Sequence, residues 1–204
     1  RSSFQTKFFT MVAHDVKNPL TAVLGYAEIL GRRLKERPNE LKCVTHINSA
    51  ANALNILISD LVDLAAIESG KLRVELRALD LAAVIHDLRP RLEIVAARRR
   101  IAFAVELPAT LPSLAGDPVR LGQVIQNLCA NAVQYTKEGG RVTVRVEAFP
   151  DKVVVSVSDT GIGISQDDLP RIWERFFQAD EAKKMRPGGF GLGLKIAREI
   201  VQRH

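Results

Sequence analysis

Val44, Ile47, Ala51, Leu54, Ile58, Leu61 and Ala65 recur at alternating steps of three and four. That spacing lays one apolar stripe along an α-helix and suits helices packed side by side at a shallow angle. A similar stripe runs through Phe9, Val12, Val16, Leu20, Val23, Ala27, Leu30 and Leu34, and the polar segment 32–39, with Pro38, separates the two. Two such helices cannot enclose a core alone. The pattern therefore predicts a helical hairpin that pairs with a second copy in a four-helix bundle, as a homodimer. Gly70 stands where a helix C-terminal glycine belongs.

Beyond Gly70 the periodicity changes. Short β-type runs fall at Leu72 to Leu76, Ile101 to Leu107, Arg141 to Ala148 and Lys152 to Ser158, the last two joined through Pro150 and Asp151 as a hairpin. Helical runs fall at Leu81 to Ala97, Asp117 to Tyr135 and Gly191 to Arg203. Asp117 is a natural N-cap, and Pro118 sits where its missing N–H costs nothing. The expected fold is α+β: a hairpin domain over 1–69, then a two-layer α/β sandwich over 70–204.

With 25% charged residues and mean hydropathy +0.02 the chain is neither disordered nor fibrous. Its most apolar region, Leu54 to Ile67, is broken by Asp60 and Asp63. It therefore falls short of the roughly 18 unbroken apolar residues of a membrane span, and no direct span is expected. Cys43 and Cys129 lie in apolar helical surroundings, which reads as buried free thiols in a reducing, cytoplasmic setting. Residues 1–69 hold 8 basic and 7 acidic residues (+1) and residues 70–204 hold 21 and 16 (+5). No nucleic-acid motif accompanies that charge, so no nucleic-acid partner is expected, and the run Arg98 to Arg100 reads as a solvated helix end.

Three constellations carry chemistry. His14 falls off the apolar stripe, beside Asp15 and five residues before Pro19. A carboxylate that accepts a proton from one ring nitrogen leaves the other free to attack, and Pro19 should loosen the helix nearby. A surface histidine beside a kink is the plainer reading of those residues alone. Asn127 and Asn131 share a helix face at i, i+4, where amide oxygens suit a hard cation such as Mg2+ or simply face solvent. Two glycine clusters follow: Asp159-Thr160-Gly161-Ile162-Gly163-Ile164 after a strand, and Gly188 to Leu194 opening the last helix. An acidic side chain beside flexible backbone fits a flat ligand bearing an amine, and a helix N-terminus fits phosphate. Neither cluster is a P-loop or a dinucleotide fingerprint. Between them, residues 178–187 are polar, as a lid or a solvated loop would be.

Taken in order, these motifs resemble the catalytic core of two-component sensor histidine kinases. His14 to Leu20 is similar to the H box, Gln123 to Thr136 to the N box and Asp159 to Gly163 to the first G box. Arg171 to Phe177 is similar to the F box and Gly189 to Leu194 to the second G box. The resemblance implies a Bergerat-type ATP-binding sandwich after a dimerisation hairpin. It makes His14 the phosphoacceptor, Asp15 its activator and Asn18 the residue that positions water for dephosphorylating the partner. Asn131 would bind Mg2+, supported by Asn127, with Tyr135 lining the nucleotide pocket. Asp159 would read adenine, with Gly161 and Gly163 shaping the pocket. Gly189, Gly191, Gly193 and Leu194 would lie by the phosphates, and Phe176 and Phe177 would anchor the lid.

The implied activity is ATP-dependent autophosphorylation on histidine, then transfer to an aspartate of a response-regulator receiver domain, with phosphatase action on that regulator as a further capacity. Gln134 stands where the family often has lysine, and the family continues past the equivalent of His204 with strands that complete the sheet. The alternatives are a nucleotide-binding dimeric scaffold without kinase activity and a gyrase- or MutL-like ATPase. The second would need a catalytic glutamate, and no acid lies between Asp117 and Glu138.

Overall fold

The structure, a computed structural model, describes residues 2–185 and 190–204, with side-chain surroundings for 11–185 and 190–204. The chain divides into two compact units, residues 1–72 and 73–204.

The first unit is two helices, α1 (Ser2–Arg33) and α2 (Pro38–Glu68), with Pro38 at the start of α2. α1 runs unbroken through Pro19, so the expected loosening does not interrupt it. Gly31 lies against Val44 and Leu41, which fixes the antiparallel register of the turn. The buried residues are Ala13, Leu20 and Ala27 of α1 and Val44, Ala51 and Leu64 of α2. The apolar stripe is thus divided, where the sequence reading treated it as one seam. One row per helix packs within the hairpin, and the alternate row (Val16, Val23, Leu30, Ile47 and Leu54) stays 41–47% exposed. α2 is long and apolar enough, by length and composition, to cross a membrane, and little of that stretch is buried. Cys43 is exposed, contrary to the expected burial, because it neighbours the buried row at Val44 without belonging to it. Past α2 the chain turns at Gly70 (φ +68°), with Gly70 N–H donating to Ile67 O (3.0 Å) and Lys71 N–H to Ala66 O (2.7 Å).

The stretch after Gly70 differs from expectation. Residues 72–76 form no strand; Leu72 is buried, Leu76 is 55% exposed, and no neighbouring strand pairs with them. The strand comes later: β1 (Arg77–Leu79) pairs antiparallel with β3 (Leu114–Gly116). A separate sheet has the order β2-β4-β5, from β2 (Ala102–Glu106), β4 (Arg141–Ala148) and β5 (Val153–Asp159). β2 runs parallel to β4, and β5 returns antiparallel through the expected hairpin. Val142, Val144 and Val146 alternate with Thr143, Arg145 and Glu147, so one sheet face is apolar and covered. Three helices supply that layer: α3 (Leu81–Arg98), α4 (Pro118–Tyr135) and α6 (Gly193–Gln202). Cys129, Ile196, Ile200 and Val142 are entirely buried there. Burial pushes the Cys129 thiol up to about 12, so it stays protonated as a packing group. α6 begins at Gly193, two residues later than read from sequence, because Gly191 takes φ +64° before the helix starts.

Candidate functional site

Each unit carries one group of candidate residues. In the hairpin, His14 and Asp15 follow the buried Ala13 and face outward, with side chains 74% and 70% exposed. His14 Nδ1 lies 3.3 Å from Asp15 Oδ1. The tautomer that places the proton on Nδ1 makes this a hydrogen bond and leaves the Nε2 lone pair toward solvent. Asn18 is exposed one turn further along α1.

In the sandwich, α4 is the organising element. Asp117 caps its start: Oδ1 accepts from Val119 N–H (3.0 Å) and Arg120 N–H (3.1 Å), and Oδ2 from Glu75 N–H (3.1 Å). Burial alone would raise the Asp117 pKa, but those three N–H groups and the Arg120 charge outweigh it and hold the carboxyl below its ordinary range. One helix face then carries Asn127 and Asn131, both half-buried. Asn127 Nδ2 reaches Gly193 O at 3.4 Å, which ties α4 to the start of α6. The Asn131 side chain makes no hydrogen bond among the described residues and keeps its amide available.

The first glycine loop is seated on the end of α4. Ile162 N–H donates to Tyr135 O (3.1 Å), and Gly161 N–H to Asp159 Oδ1 (2.8 Å). A Cβ on Gly161 would fall 2.4 Å from Tyr135 O, so only glycine lets the loop approach this closely. Asp159 is exposed and its other oxygen has no partner among the described residues. Gly163 adopts φ +70° next to it. Across the site, a Cβ on Gly191 would meet Phe177 O at 2.4 Å, and Phe176 N–H donates to Gly191 O (3.1 Å). Arg171 stacks over the Phe177 ring at 4.3 Å, whereas Phe176 is 62% exposed with φ +59°. Leu194 is half-buried in the first turn of α6. Part of the polar segment is helix α5 (Asp180–Met185). Gly189, assigned to the phosphates, lies outside the described residues.

Comparison with known proteins agrees with both halves. Residues 4–70 match the His Kinase A (phospho-acceptor) domain, and residues 116–204 match the histidine kinase-, DNA gyrase B- and HSP90-like ATPase domain. The chain is a two-component histidine kinase catalytic core. It is 31% identical to sensor histidine kinase GacS of Pseudomonas protegens, over 98% of this chain and 22% of that protein. It is 34% identical to the sensory/regulatory protein RpfC of Xanthomonas campestris pv. campestris, over 97% of this chain and 28% of that protein. Among solved structures it is similar to full-length ShkA in complex with AMPPNP, with 28% identity and TM-score 0.73 over 96% of this chain and 40% of that one. The chain spans about a quarter of the length of the curated relatives it matches.

This histidine kinase core also uses residues that sequence reading passed over. Arg99, taken as part of a solvated helix end, is half-buried and donates from Nη1 to Gln134 O (3.0 Å). Thr160 Oγ1 accepts from Arg141 N–H (2.9 Å) and its own N–H donates to Arg141 O (3.1 Å), which extends the β4–β5 pairing into the loop. His204 Nε2 lies 3.0 Å from Asp117 N, which it meets as acceptor. A cluster of three basic residues announces charge in sequence, but nothing in it marks which one turns inward.

Proposed function

We propose that this chain phosphorylates its own His14 from ATP and passes the phosphoryl group to an aspartate of a response-regulator receiver domain, with phosphatase action on that regulator as a second capacity. The observation that carries the reading is the outward-facing His14–Asp15 pair in a chain that also gathers an amide pair, an acid and a glycine loop along α4 and at its end. The free Nε2 attacks the γ-phosphorus of ATP. As the N–P bond forms, the P–O bond to the leaving ADP breaks. The ring then carries positive charge, which Asp15 stabilises through the Nδ1 proton it already accepts. Asn18, one turn on, positions water for the phosphatase step.

In the sandwich, Asp159 accepts from the adenine amine with the oxygen that Gly161 does not use, and Tyr135 and Gly163 line the base site. Gly189, Gly191, Gly193 and Leu194 border the phosphates, where N–H groups at the start of α6 oppose negative charge. Asn131, with Asn127 beside it, would hold Mg2+. A single half-buried amide oxygen is a hard, neutral donor that suits a cation drawing its other ligands from phosphate and water. Bound there, Mg2+ supplies neutralisation of phosphate charge. The exposed rows of α1 and α2 fit a homodimer, and we assign the core to the cytoplasm, with no nucleic-acid partner. α2 has the length and apolar character of a span, but Asp60 and Asp63 within it favour the protein-paired reading over a lipid-facing one.

The test is incubation of the chain with Mg-ATP and assay for acid-labile, base-stable phosphate. His14→Gln should abolish labelling, a loss of at least about a thousandfold for a removed nucleophile, while nucleotide affinity is unchanged. Asn131→Asp and Asp159→Asn should weaken nucleotide binding and leave the helical dimer intact. Label on histidine in the His14→Gln chain would refute the assignment.

A further inference from the structure

The last turn of α4 poses a problem that its own sequence does not solve. The final carbonyls of a helix lack intrahelical donors and carry the negative end of its dipole, and this turn holds no basic residue. The structure supplies partners one by one. Thr136 Oγ1 donates to Ala132 O (2.6 Å), Arg99 Nη1 to Gln134 O (3.0 Å) and Ile162 N–H to Tyr135 O (3.1 Å). The one charged donor of the three comes from the end of α3, and its partial burial strengthens a charge-assisted bond. The same corner grips the following loop: Gly139 N–H donates to Arg100 O (3.0 Å), and Ala102 N–H to Gly140 O (2.9 Å).

The base-reading loop sits directly on this end. Tyr135 O, one residue past the Arg99 contact, takes Ile162 N–H and abuts Gly161, whose own N–H orients Asp159. We propose that Arg99 is a positioning residue for base selection: by clamping Gln134 O it fixes the platform on which the Asp159 carboxylate is aimed. This rests on the reading of Asp159 as the base-site acid. In this role Arg99 acts through the helix end and not on the base itself.

The experiment is calorimetric titration of the whole chain with non-hydrolysable ATP and GTP analogues. In Arg99→Ala the ATP analogue should bind roughly threefold to tenfold more weakly, the range for residues that act at one remove. The GTP analogue should change less, so the preference for adenine narrows, and Arg99→Lys, which keeps a charged donor, should recover at least half of it. Should Arg99→Ala fail to fold, Arg99→Met, which keeps bulk but has no donor, carries the same comparison. Equal weakening of both analogues, unchanged ATP-analogue affinity, or a lysine variant no better than alanine overturns the proposal. Asp159→Asn separates the two ideas. If it leaves the preference untouched, the base-site reading and this inference fall together; if it erodes the preference while the Arg99 variants do not, only this inference falls.

Discussion

The two units satisfy their apolar residues in opposite ways. The sandwich closes its core from its own chain, with Ile196, Ile200, Cys129 and Val142 at 0% exposure under three helices. The hairpin buries only alternate heptad positions and leaves Val16, Val23, Leu30, Ile47 and Leu54 nearly half exposed. A domain that binds a nucleotide benefits from a rigid, self-contained scaffold. A two-helix element has too little interior for that, and its second apolar row is the surface on which the proposed pairing with another copy rests.

Truncating the sandwich core should have the largest effect on this contrast. Ile196→Ala removes a wholly buried side chain and should cost about 2–5 kcal/mol. Denaturation followed by the fluorescence of Trp173, the single tryptophan, should show that loss, while the helical signal of the hairpin persists. Simultaneous collapse of both signals would mean the units do not stand independently. Next in size, Leu54→Glu places charge on the exposed row. It should raise the dimer dissociation constant at least about tenfold, roughly 1.4 kcal/mol, and leave the Trp173 transition where it was. A dimer of unchanged affinity by sedimentation would assign that row some other role.

The smallest effect concerns Asp60 on α2. Burial, and secondarily the charge of Asp63, push its pKa up to about 6. A carboxyl whose folded pKa exceeds its unfolded value binds its proton more tightly when folded. Stability should therefore fall as pH rises from about 4 through about 6. Asp60→Asn should flatten that slope, stabilising the hairpin by about 1 kcal/mol above pH 7, discounted for partial exposure, and by nothing below pH 4. Thermal melts at both pH values decide it. An equal gain at the two would point to packing instead of charge.

Much of this was legible in advance because the signals are local. Heptad spacing gave both hairpin helices, Asp117-Pro118 marked the start of α4, and alternating valines gave β4 and β5. The strand expected at residues 72–76 failed because alternation alone does not provide a partner, and β3 pairs with residues 77–79 instead. Cys43 failed because an apolar neighbourhood in sequence spans more than one face of a helix.

The order of the motifs identified the kinase family, and residue type and period set which helices and strands exist. Tertiary structure decided the rest: which heptad row turns inward, that Arg99 faces the end of another helix, and that Gly161 rests on Tyr135 O. Periodicity is a property of one segment read alone, whereas each of those contacts joins groups that only the folded chain brings within bonding distance.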